Sequence, residues 1–246
     1  MDRMLYIAMT GAQQTMQSQA ITANNLANIS TPGFRADLAA MRSMPLFGEG
    51  LPSRVYAMAE RAGTEYKTGT VTETGRELDI AVRQQGFIAV QGLDGKEAYT
   101  RAGDLQVNTA GLLHTGAGYP VMGENGPISI PPARSILIGK DGTISIRPAD
   151  ANAEVVETID RIKLVNPPLR DLQKGKDGLF RLKNGEAAGT DVSVEVVAGS
   201  LETSNVNAAA ELVNMIQQAR QFEMQTKMMQ IAGENEQRAA QILQLS

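Results

Sequence analysis

The chain has 246 residues, enough to bury a sizeable core as one large domain or two small ones. Its 23 basic and 27 acidic residues leave a net charge of -4 with no like-charge block, which argues against a nucleic-acid arm or a polybasic membrane anchor. The absence of Cys excludes thiolate catalysis, Cys-ligated zinc and disulfides, and 4% aromatics with no Trp is thin for an enzyme pocket.

The opening Met1-Asp2-Arg3 leads into mixed polar and apolar residues, so no cleavable signal peptide is expected, and no run approaches the length of a membrane span. From Leu5, the residues Ala8, Ala12, Met16, Ala20, Ala23 and Ala27 recur at steps of three and four. That periodicity predicts a helix with a stripe of small residues. The stretch "NNLANISTPGF" (24–34) ends it, since Pro32 lacks an amide donor and disfavours helix in the residue before it. The middle of the chain changes period. Leu78–Val82 and Gly86–Val90 are short apolar runs, while Leu105/Val107, Ile136/Ile138, Ile144/Ile146 and Val192/Val194/Val196 alternate with other residues. Asp94-Gly95, Asp141-Gly142, Asp177-Gly178 and Asn184-Gly185 are turn signals. Short alternating strands with such turns predict antiparallel β structure. Beyond residue 206 the helical period returns, with Asn207 as an N-cap candidate and Glu211 in the first turn, where the helix dipole favours a carboxylate. One stripe runs through Leu212, Met215, Ala219, Phe222, Thr226 and Met229, and a second through Met224, Met228, Ile231, Ile242 and Leu245, with Gly233 as the weak point. The fold class is therefore α+β: discontinuous terminal helices, paired in a coiled-coil-like domain, around a mainly antiparallel β body.

No chemistry emerges from the residues that usually carry it. His114 is the sole His, follows Leu112-Leu113, and has no Ser or Asp pattern for a triad and no second His for a metal. Gly116-Ala-Gly118 begins like a dinucleotide fingerprint but has Val121 in place of the third Gly, and "GKDGT" (139–143) lacks phosphate-loop spacing. Asp150, Asn152 and Glu154 alternate like calcium ligands, yet Val155 stands where the loop needs Gly. The pairs Glu77/Asp79 and Glu234/Glu236 have no cleft motif beside them and read as solvated edges. No catalytic, metal or cofactor site is expected, and the chain is not read as an enzyme.

The terminal stripes are the remaining signal. The plain reading packs two amphipathic helices on the β body. Three features weigh against it. The N-terminal stripe is nearly all Ala and Met, which suits close helix–helix approach. The C-terminal helix has apolar residues on two faces, so one neighbour is not enough. Asn25, Asn28 and Asn235 lie on or beside the stripes, where a buried amide fixes register and partner.

These residues carry a resemblance. "NNLANISTPGF" resembles the N-terminal signature of flagellar axial proteins, the rod and hook subunits of the bacterial flagellum, and "ETSNVNAAAELVNMI" (202–216) resembles their C-terminal signature. "LDIAVRQQGFIAV" and "YTRAGDLQV" resemble β-core motifs of the rod proteins, and "STPGFRA", "RQFEMQTK" and "ENEQRAAQIL" resemble the proximal-rod branch. Many members carry Gly where Gln84 stands and Phe where Ile88 stands. The resemblance implies a structural subunit of the basal-body rod that polymerises into the helical drive shaft. The alternatives are a distal-rod or hook-type subunit, or, in another class, a secreted β-rich enzyme or binding module.

The resemblance further implies an inner α domain from 1–34 plus 203–246 lining a central channel, a connecting segment at 35–77 and an outward β domain at 78–202. It implies type III export without a cleaved signal, residence in the periplasmic rod, and partnership with copies of itself, other proximal and distal rod proteins and the export apparatus. Nucleic acid and direct membrane insertion are not implied. The candidate assembly interface comprises Leu5, Ala8, Ala12, Met16, Ala20, Ala23, Asn24, Asn25, Ala27 and Asn28 on the first helix. On the second it comprises Leu212, Met215, Ile216, Phe222, Met224, Met228, Ile231, Asn235, Ile242 and Leu245. Asn24, Asn25 and Asn28 are expected to bond backbone and neighbours where the helix hands over to the β body.

Overall fold

A computed structural model describes residues 3–45, 55–148 and 156–244. The chain divides into two compact units. A helical unit draws on Met1–Asn28, Ala36–Glu65 and Val206–Ser246, and a β unit on Ile29–Arg35 and Tyr66–Asn205.

The helical unit pairs α1 (Arg3–Ala27) with α2 (Ala208–Gln244). A hairpin of β1 (Asp37–Pro45) and β2 (Val55–Thr64) accompanies them, antiparallel from Asp37↔Thr64 to Pro45↔Val55, with a bulge between Leu38 and Ala39. Asn207 caps α2 as its residue type predicts: its Oδ1 accepts from Ala210 N at 3.2 Å. Helix α2 passes Gly233 without a break, because the helical pattern on both sides outweighs a cost of about 1 kcal/mol.

The face of α1 that is buried runs Ala8, Ala12, Thr15, Ser18, Thr22, Asn25. It shares its first two members with the Ala/Met stripe and then departs from it. The reason is local hydrogen bonding. Thr15 Oγ1 donates to Gly11 O in the preceding turn at 2.9 Å, so the hydroxyl enters the helix contact already satisfied. Hydroxyls also make rungs to α2: Thr15 Oγ1 lies 3.1 Å from Gln225 Oε1, and Gln218 Nε2 donates to Thr22 Oγ1 at 3.2 Å. At Gly11 the approach is close enough that a Cβ would sit 2.8 Å from Gln225 Nε2.

The β unit has a five-stranded antiparallel sheet ordered Leu164–Val165, Phe87–Gln91, Glu97–Thr100, Phe180–Leu182, Leu172–Lys174. A three-stranded sheet is ordered Glu157–Arg161, Thr143–Pro148, Ala133–Ile138. The run Phe87–Val90 is continuously apolar because both faces of its strand are covered. Ile88 and Val90 join a core with Ile80, Leu105, Leu113, Ile144 and Leu164, while Phe87 and Ala89 join Tyr99, Val165, Leu172 and Phe180 on the other face. All four predicted turns place glycine at positive φ: Gly95 at +73°, Gly142 at +84°, Gly178 at +79° and Gly185 at +74°. The alternation at Val192–Val196 gives strand only from Val196. Asp191 turns the chain first, its Oδ1 accepting from Ser193 N at 2.9 Å and Oγ at 2.6 Å, and leaves Val192 exposed.

Candidate assembly surface and the signature node

In the helical unit, the Asn25 amide bonds across three elements. It is 3% exposed. Its Nδ2 donates to Asp37 O at 2.9 Å and to Glu211 Oε1 at 3.1 Å, and its Oδ1 accepts from Asp37 N at 2.9 Å. One side chain thus ties the end of α1 to the start of β1 and the first turn of α2. Glu211, expected to serve the helix dipole, also spends its carboxylate on this amide. Asn28 donates to Asn24 O at 2.9 Å at the C-terminal end of α1, and Asn24 and Asn235 are exposed.

The other candidate interface residues separate into two groups. Ala8 and Ala12 are buried in the helical unit, and Leu5, Met215 and Phe222 are half-buried. Met16, Ala20, Ala23 and Ala27 on α1, and Leu212, Ile216, Met224, Met228 and Ile231 on α2, face solvent. The Ile242 side chain and Leu245 lie outside the described residues. The second α2 stripe, as far as described, is left open while the first turns toward α1.

In the β unit the signatures converge on a feature that periodicity could not reveal. Glu202 and Arg35 are each 1% exposed and form an ion pair through Oε1 and Nη2. The Glu202 carboxylate also accepts from Arg101 Nε at 2.6 Å and from Gly69 N at 2.9 Å. Arg101 Nη1 and Nη2 donate to Gly86 O and Val82 O, both at 2.8 Å. Gly33 N donates to Glu202 O at 2.8 Å, and Lys174 Nζ donates to Arg35 O at 2.7 Å while lying 3.9 Å above the Phe34 ring. Burial, opposed by Glu202 and reinforced by Arg101, holds the Arg35 guanidinium below its ordinary pKa. Gly33 sits at φ +65°, where a Cβ would lie 2.3 Å from the Arg101 backbone carbonyl. So "STPGFR", "YTR" and "LET" meet at one carboxylate. Both arginines stood inside the quoted motifs, but nothing in their spacing marks them as partners of a residue 101 and 167 positions away.

The residues weighed for chemistry are occupied structurally. His114 Nδ1 lies 2.7 Å from Thr115 O. Asp79 is buried and accepts from Thr74 Oγ1 at 2.7 Å, whereas Glu77 Oε2 lies 3.4 Å from Ile136 N, so the two carboxylates do not share a site. Tyr99 accepts from Ala188 N at 2.6 Å and donates to Glu97 at 3.0 Å, and burial pushes its hydroxyl up to about 12. Asp150–Val155 lie outside the described residues, and among the described residues no group of three or more acidic or His side chains could hold a metal.

Paired terminal helices with an open apolar face, and a β middle stapled by structural charges, define a structural, assembling subunit. Three families match the chain in order: "Flagella basal body rod protein" over residues 5–35, "Flagellar hook protein FlgE/F/G D1 domain" over 81–146 and "Flagellar basal body rod FlgEFG protein C-terminal" over 197–242. The flagellar basal-body rod protein FlgF of Escherichia coli K12 is 45% identical over 253 residues, covering all of both chains. FlgF of Salmonella typhimurium LT2 is 44% identical over 253 residues with the same coverage. FlgG of Bacillus subtilis 168 is 31% identical over 255 residues, covering 94% of this chain and 96% of its own. This chain belongs to the flagellar basal-body rod protein family.

Proposed function

We propose that the chain is a structural subunit of the proximal flagellar rod, built into a helical shaft that transmits torque from motor to hook and filament. A head-to-tail contact that does not close on itself generates such a shaft. The observation that carries this reading is the outer face of α2, where Leu212, Ile216, Met224, Met228 and Ile231 are 40 to 61% exposed on a helix whose opposite face is already occupied by α1. The higher identity to the FlgF proteins than to FlgG favours the proximal position. In this reading 1–34 and 203–246 form the inner rod core, 35–77 connects, and 78–202 faces outward. The partners are other copies and other rod proteins in the periplasm, reached through type III export without a cleaved signal. The named α1 and α2 residues are the assembly interface, with Ala8, Ala12 and Asn25 acting through the helix pair and the exposed apolar residues acting on neighbours.

Ile231→Asp tests this. It places a carboxylate on the outer face, costing several kcal/mol once buried without a partner in a repeating contact. The free chain should fold and be exported, while basal bodies stop before the distal rod and cells do not swim. Complete, rotating flagella that contain the Ile231→Asp subunit would remove the outer face from the interface.

A further inference from the structure

Eleven of the twelve methionines fall within the segments 1–28, 36–65 and 206–246, and Met122 alone lies in the β unit. The β unit builds its core from Ile, Leu and Val instead. Several of the eleven are not packing residues in the free chain. Met9 is 49% exposed, Met16 57%, Met224 61% and Met228 40%, whereas Met122 is half-buried against the second core cluster. With neither Cys nor Trp in the chain, these thioethers are its most readily oxidised side chains.

We propose that Met16, Met224 and Met228 are oxidation sites whose conversion to sulfoxide by peroxide withdraws a subunit from rod assembly. The proposal rests on the assembly reading above, which places Met16, Met224 and Met228 in subunit contacts. In the reaction the thioether sulfur attacks one peroxide oxygen. The O–O bond breaks, an S–O bond forms, the sulfur gives up two electrons, and the remaining oxygen leaves as water. A flexible apolar side chain becomes polar and chiral at the point where the outer helical face must be desolvated. In the free chain the sulfoxide stays hydrated, so folding is unaffected and the defect falls on assembly alone.

The test uses hydrogen peroxide and peptide mass spectrometry in two arms. In the first, purified full-length chain and intact basal bodies receive the same dose. Met16 and Met224 should oxidise about tenfold faster than Met122 in the free chain, and about tenfold more slowly in basal bodies than in the free chain. In the second, cells in which rod assembly is held back receive a brief sublethal pulse, assembly is then released in peroxide-free medium, and this subunit is recovered separately from the new rods and from the unassembled pool. Sulfoxide at Met16, Met224 and Met228 should be about fivefold lower in rods than in the pool, with Met122 equal in both. Equal sulfoxide at Met16, Met224 and Met228 in rods and pool, with protection intact in the first arm, overturns the proposal and leaves the assembly reading standing. Oxidation in basal bodies as fast as in the free chain overturns the assembly reading itself, and this proposal with it.

Discussion

Gln84 is the one non-glycine residue at positive φ among the described residues, at +60°. A side chain there costs about 1–2 kcal/mol against the right-handed region. The turn survives because Arg101 holds it from both ends, through Val82 O and Gly86 O. Gln84→Gly should therefore stabilise the β unit by about 0.5–1 kcal/mol, the relieved strain less the added unfolded-state entropy of glycine. A higher urea midpoint at unchanged slope would show it, and an unchanged or lower midpoint would mean that the turn is unstrained. Glu202 works with opposite sign. Its carboxylate pairs with the two guanidiniums of Arg35 and Arg101, so Glu202→Gln keeps the shape and removes the charge. Breaking a buried pair from one side costs about 3–5 kcal/mol, and the β unit should lose that much stability by denaturant titration. A loss below about 1 kcal/mol would mean that shape and hydrogen bonds, not charge, hold the node.

At the scale of elements, α1 shows how much a period conveys and where it stops. The three-and-four recurrence of Ala8 and Ala12 marked a helix with a small-residue face, and both are buried. Farther along, the buried line passes through Thr15, Ser18, Thr22 and Asn25, which hydrophobicity assigns to solvent. Thr15 Oγ1 is satisfied within α1, whereas the Thr22 hydroxyl and the Asn25 amide meet partners on α2 and β1 that exist only once the elements pack, and Ser18 Oγ is buried without a hydrogen-bond partner among the described residues. Ala12 and Ala23, equivalent in the sequence pattern, should then behave differently. Ala12→Leu overpacks a buried position of α1 and should destabilise the helical unit of the free chain by about 1–3 kcal/mol. Ala23→Leu, on the exposed face, should leave free-chain helicity within about 0.5 kcal/mol and act on assembly alone. Thermal circular dichroism of the two variants separates them, and equal shifts would merge the two faces. The β runs were more legible, because a strand covered on both faces reads as unbroken apolar residues whatever its neighbours.

Across the whole molecule, stability is distributed unevenly. The β unit has a contiguous core of large aliphatic residues, while α2 extends to Gln244 with apolar residues open to water. Isolated helical segments are marginal without tertiary cover. Amide exchange on the free full-length chain should be slowest in Ile80–Val82, Phe87–Gln91 and Thr143–Pro148, and fastest in α2 beyond Gly233. Uniform slow exchange along α2 would mean that the helix is finished before assembly.

The amino-acid sequence by itself determined the helix–β–helix order, the glycine turns, the cap at Asn207 and the family, because each depends on residues close together in the chain. Tertiary structure alone decided that Asn25 ties three elements, which face of each helix is buried and which is open, and that Arg35, Arg101 and Glu202 form one buried node. Those assignments depend on which groups are desolvated together, and desolvation is a property of the folded chain that no local period encodes.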